Sequence, residues 1–122
     1  MRFSQDQTSS VNIVRGYAEG ELRINTDVFR VSVIVSATAV REEPDLRGIA
    51  ELGPDHAAHI LEFKPELVLL GTGRRQVYPP PSFGARFLQA GIGFEVMDTG
   101  AACRTFNVLV GEQRPVVALL LV

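Results

Sequence analysis

The apolar run Leu67-Val68-Leu69-Leu70 stops abruptly at Gly71-Thr72-Gly73, and this break constrains the fold more than any other stretch. A short apolar run bounded by turn residues reads as a buried strand. The pattern then repeats with helices between strands. Ser82–Ala90 reads as a helix, with Ser82 as its cap and Gly91 as its stop. Phe94–Met97 is a second strand, about Gly100 to Val110 a second helix closed by Gly111, and Val116–Leu121 a third strand. Strand–helix–strand–helix–strand implies parallel strands joined by crossovers. The segments centred on Val68 and Val96 should therefore lie side by side and point the same way, so that the turns after them share a rim.

The first third reads differently. Val11, Ile13 and Arg15 are followed by Gly16, and Leu22 and Ile24 alternate with polar partners. Asn25-Thr26-Asp27 is a turn signal. Val28–Val35 alternates cleanly and is rich in β-branched residues, so it reads as one strand. These segments predict an antiparallel meander of three strands. Asp45–Leu52 holds a short helical turn. Pro54 suits a first helical position, Ala57, Ala58, Ile60 and Leu61 supply an apolar stripe up to Phe63, and Pro65 ends that helix. The whole reads as one α/β domain over residues 1–122, a β-rich front on a small parallel unit, with residues 1–7 a disordered tail.

Composition removes several function classes. The net charge of −2 gives no bulk attraction to nucleic acid or to an anionic membrane. The closing run Val116–Val122 is far too short to span a bilayer, so no membrane insertion is expected. The one cysteine, Cys103, rules out an internal disulfide and any multi-cysteine metal site, and a reducing cytoplasmic setting is the default. The opening MRFSQDQTSS has no apolar stretch of the kind a secretory signal needs.

Chemistry concentrates where the two parallel strands end. The first loop offers Gly71, Thr72, Gly73, Arg74, Arg75 and Tyr78; the second offers Asp98, Thr99 and the opening amides of Gly100-Ala101-Ala102, with Cys103 and Arg104 just behind. Free N–H groups at a helix start favour anions, and arginines match carboxylate and phosphate geometry. These residues form a candidate site for a small anionic ligand. Other uses of the same residues stand beside it. Asp98 or Thr99 is a suitable N-cap, Arg74 or Arg75 can pair with Asp98, and the rim can serve as a protein-docking edge. GTGRR lacks the ending of a Walker A loop and GTGRRQ lacks the third glycine of a dinucleotide fingerprint.

Cys103 lies in the first turn of its helix, where the helix field can activate a thiol, but Ala102, Phe106, Leu109 and Val110 predict a buried, inert one. His56 and His59 share a helix face with Glu62, yet a surface helix is the simpler reading and no metal is expected. Tyr78 precedes Pro79-Pro80-Pro81, a stiff segment that either presents it to a partner or routes the chain to the next helix. No catalytic residues are assigned: no nucleophile elbow, zincin motif or aspartate cluster occurs.

LLGTGRRQVYPPP, GIGFEVMDTGAACRTFNVL and RPVVALL, in that order, resemble the small α/β family that includes mitochondrial complex I assembly factor three and bacterial and archaeal relatives. The resemblance runs over about residues 8–122. It implies a three-layer α/β fold with a parallel-centred sheet and an added β-rich part. It also implies a non-enzymatic role in assembling a respiratory complex, with a protein partner and no cofactor. The chain shows no mitochondrial presequence, so a bacterial cytoplasmic protein is expected. The oligomeric state is left open.

Overall fold

The computed structural model describes residues 11–122, and the expected tail at 1–7 lies outside the described residues. Eight strands and three α-helices follow in the order β1 (Val14–Ala18), β2 (Glu21–Ile24), β3 (Asp27–Phe29), β4 (Ser32–Val35), β5 (Val40–Glu43), α1 (Pro54–Leu61), β6 (Leu67–Gly71), α2 (Pro81–Gln89), β7 (Gly93–Met97), α3 (Thr99–Gly111) and β8 (Val116–Leu120). A single 3-10 turn, Ile49–Glu51, precedes α1.

The larger sheet has five strands in the order β5-β4-β8-β6-β7. β6 sits between β8 and β7 and runs parallel to both, with Val68 level with Phe94 on one side and Val117 on the other. β4 pairs antiparallel with β8 and with β5. The smaller sheet, β1-β2-β3, is an antiparallel meander. Its β2–β3 turn holds Asn25 at φ 55, a left-handed conformation that asparagine tolerates better than most residues.

The chain steps from β6 outward to β7, then returns past β6 to β8. Two crossovers of the same hand in opposite directions must put their helices on opposite faces. The packing agrees. On one face Val68, Leu70, Val117, Leu119 and Leu121 meet Ala57 and Ile60 of α1 and Phe83 and Phe87 of α2. On the other, Leu69, Val116, Ala118 and Leu120 meet Ala102, Phe106 and Val110 of α3, with Val14, Leu22 and Ile24 of the small sheet. Helices, sheet, and helix plus small sheet make three layers around a parallel-centred sheet.

Four local expectations change. Val28–Val35 is two strands in two sheets, because the chain turns a corner at Arg30-Val31. Val40–Glu43 is a strand that its charged sequence VREE concealed, and it lies at a sheet edge, where charge is tolerated. Ser82 does not cap α2: Pro80 is the N-cap and Pro81 takes the first helical position its fixed φ favours. In α1, Ala58 of the expected apolar stripe faces solvent, while Ala57 and Ile60 face the core as expected.

Candidate functional site

The turns after β6 and β7 meet on one rim, laced mainly by Thr99. Its N–H donates to the Gly73 carbonyl at 2.8 Å. Its Oγ1 accepts from the Gly73 N–H at 2.8 Å and donates to the Leu121 carbonyl at 2.6 Å. Thr72 N–H donates to Met97, and Leu121 N–H to Gly71. Gly73 sits at φ 98, where a side chain would be strained. A Cβ on Gly71 would stand 2.9 Å from Thr99 Cα and 3.1 Å from Ala102 Cβ, so only glycine lets β6 approach α3 this closely.

The arginines therefore project from a loop held at both ends. Thr72 Oγ1 donates to the Arg75 carbonyl and accepts from the Val77 N–H at 3.0 Å, closing a compact turn around them. Gln76 Nε2 donates to the Val96 carbonyl at 2.9 Å. Both arginines are exposed. Arg74 Nη1 lies 3.3 Å from Glu19 Oε1, in a pair whose side chains are 70% and 68% exposed and which is correspondingly weak. Among the described residues Arg75 makes no ion pair.

The rim does not collect all the residues named from the sequence. Asp98 caps α3, its Oδ1 accepting from the Ala101 N–H at 2.9 Å, so its carboxylate occupies the helix start. Thr99 is fully buried. Cys103 is 6% exposed, and burial pushes its thiol from 9.0 up to about 12, with Arg104 pulling down and Asp98 adding to the rise. A thiol so placed stays protonated near neutrality and is a poor nucleophile. Arg104 is exposed, with Nη1 3.6 Å from where a Gly100 Cβ would sit. Tyr78 is 74% exposed and is not part of the cavity lining described next.

What remains is a cavity of about 510 Å³ lined by Thr72, Arg74, Arg75, Val77, Val122, Tyr17 and Glu19. The last two come from the small sheet and its turn, and no pattern in the sequence linked them to the arginines. Tyr17 lies over the start of α3, with Cδ2 3.9 Å from the Gly100 Cβ position. Its hydroxyl oxygen is buried and has no hydrogen-bond partner among the described residues. Burial, then Glu19 and Cys103, raise its pKa above the ordinary 10.0 while Arg74 pulls the other way.

The small sheet is held in place by α3. Asn107 Oδ1 accepts from the Val14 N–H and Asn107 Nδ2 donates to the Val14 carbonyl, both at 2.9 Å. The histidines are engaged elsewhere. His56 Nδ1 accepts from the Gly53 N–H at 3.0 Å, and His59 Nδ1 lies 2.9 Å from Glu43 Oε2. Among the described residues no group of three or more His, Cys, Asp and Glu is placed to hold a metal.

Residues 14–121 match the family described as "Protein of unknown function (DUF498/DUF598)". The chain belongs to that family. It is 30% identical over 122 residues to the "13 kDa major membrane protein" of Francisella tularensis subsp. holarctica (strain LVS), covering 99% of each chain. It is 40% identical over 63 residues to NADH dehydrogenase (ubiquinone) 1 alpha subcomplex assembly factor 3 of Xenopus tropicalis, a stretch that is 52% of this chain and 34% of that protein. The match thus spans about a third of the assembly factor. A Bordetella parapertussis crystal structure superposes with a TM-score of 0.85 at 33% identity, covering 92% of this chain and 96% of the other. A Bordetella pertussis solution structure called an Mth938-like domain gives 0.82 at 27% identity, covering 99% and 92%. This DUF498/DUF598 chain therefore has assembly-factor relatives and an Mth938-like α/β fold. No helix among the described residues is long and apolar enough to cross a membrane.

Proposed function

We propose that this protein is a non-enzymatic binding protein that assists assembly of a respiratory-chain complex from the cytoplasm. The observation that carries this reading is the 40% identity to an assembly factor over half of the chain. The burial of Cys103 supports it, because the one thiol is out of reach of a substrate. Tyr78, 74% exposed ahead of three prolines, is the side chain this reading assigns to partner contact. Crosslinked affinity capture from native cells tests it. Enrichment of membrane-complex subunits or other assembly proteins over controls is expected, and their absence would count against the role. A second reading, a binder of a small anion on the rim formed by Gly71–Arg75 and Asp98–Ala102, is favoured by the cavity beside Arg74 and Arg75.

A further inference from the structure

In open α/β sheets, ligands settle beyond the carboxyl ends of strands, where successive connections leave toward opposite faces. That switch lies here between β6 and β7, because α2 follows β6, α3 follows β7, and the two helices pack on opposite faces. The cavity lies on the same carboxyl edge, next to that switch: Thr72, Arg74, Arg75 and Val77 follow β6, and Val122 follows β8. Its lining carries the side chains of two arginines against one glutamate. Arg75 has no anionic partner among the described residues, and Arg74 has only the exposed Glu19. Tyr17 forms part of the opposite wall, and its hydroxyl oxygen, covered behind that wall, has no hydrogen-bond partner among the described residues. A buried donor left unpaired is costly, and such a group in a native structure calls for an explanation.

We infer that this cavity binds a small carboxylate or phosphate, with Arg75 and Arg74 engaging the oxyanion and the Tyr17 ring turning to bring its unpaired hydroxyl to it. Val77 and Val122 give the ligand a modest apolar side. Glu19 acts as a competing internal anion, holding Arg74 until the ligand takes its place. Tyr17 stays a donor at neutral pH, since a tyrosine hydroxyl ordinarily loses its proton only near 10.0 and burial raises that further. This inference rests on the second reading above, and it moves the site from the start of α3, which Asp98 fills, to the space between the arginine loop and β1.

The test is thermal shift and titration with inorganic phosphate, acetate and succinate, against chloride at equal ionic strength. The wild type should be stabilised by at least one of these anions, by several degrees at about 100 times its Kd. Arg75→Ala and Tyr17→Phe should each weaken that anion about tenfold, the loss expected for one hydrogen bond to a charged group. Glu19→Gln should tighten it. Tyr17→Phe without anion should melt no lower than the wild type, a result that separates a ligand donor from a structural hydroxyl. If an anion binds but Arg75→Ala and Tyr17→Phe bind it as well as the wild type, this placement is overturned while anion binding on the rim survives. If none of these anions stabilises the wild type beyond chloride, the placement and the second reading both fall.

Discussion

The hydroxyl of Thr99 donates to the carbonyl of Leu121 at 2.6 Å, tying the first turn of α3 to the end of β8. The same oxygen accepts from Gly73, so one buried atom joins three chain segments. Thr99→Val keeps the shape and strands both partners. It should cost about 2–4 kcal/mol in urea unfolding, since each unpaired buried group costs about 1–3 kcal/mol. Thr99→Ser keeps the hydroxyl and should lose clearly less. Equal losses for the two variants would show that the methyl contact, not the hydroxyl, matters.

α2 lies almost on β7. A Cβ on Gly84 would stand 2.7 Å from the Phe94 ring, which stacks on Phe87 at a centroid distance of 5.5 Å. Gly84→Ala must push the helix away from the sheet. Overpacking of this kind costs about 1–3 kcal/mol despite alanine's better helix propensity. A lower melting temperature with an altered near-ultraviolet phenylalanine signal is expected. A more stable variant would mean that the helix shifts without cost.

Glu43 and Glu62 both meet Arg41, but in different surroundings. The Glu43 side chain is 8% exposed and takes Arg41 Nε at 3.1 Å and His59 at 2.9 Å, whereas Glu62 is 65% exposed and 3.4 Å from Arg41 Nη1. Glu43→Ala should destabilise by about 3–5 kcal/mol if the pair behaves as fully buried, and somewhat less here because Arg41 reaches solvent. Glu62→Ala should stay within about 1 kcal/mol. Chemical denaturation of the two variants compares them directly, and similar losses would contradict the contrast.

The stability of this protein should fall in alkali through Cys103. Between 9.0 and about 12 the unfolded thiol loses its proton while the folded one keeps it. The native state then binds more protons, so stability declines as pH rises, by at most about 1.4 kcal/mol per pH unit for one group. Below that window the effect is absent. Tyr17, raised above 10.0, acts in the same direction. Cys103→Ala should show a shallower alkaline decline in unfolding free energy than the wild type; parallel curves would clear the thiol of responsibility.

Tyr78 offers the corresponding test of partner binding. At 74% exposure its removal should change stability by no more than about 0.5 kcal/mol. Capture of partners by Tyr78→Ala should nevertheless fall well below that of the wild type. Undiminished capture would remove Tyr78 from the contact surface.

The parallel core was legible because β6 and β8 are almost wholly buried and read as unbroken apolar runs, the first broken off at Gly71. The shared rim followed from that parallelism alone. Alternation could not reveal the corner at Arg30-Val31, since a bend between two sheets leaves the period of two intact. β5 escaped notice because an edge strand carries VREE where an interior strand would carry valine and isoleucine. Residues 72, 74 and 75 were named from their loop, but Tyr17 and Glu19 were not. Their place opposite the arginines depends on how a separate sheet docks, and no local spacing encodes that.

Asn107 does not line the cavity, yet it grips both backbone polar groups of Val14, 93 positions away in sequence. Val14 and Tyr17 share one short strand, so the helix works as a calliper that sets the gap between β1 and the arginine loop. The width of that cavity is thus tied to a carboxamide outside its lining. A chain that kept both arginines but lost that carboxamide would offer the same charges across a different width.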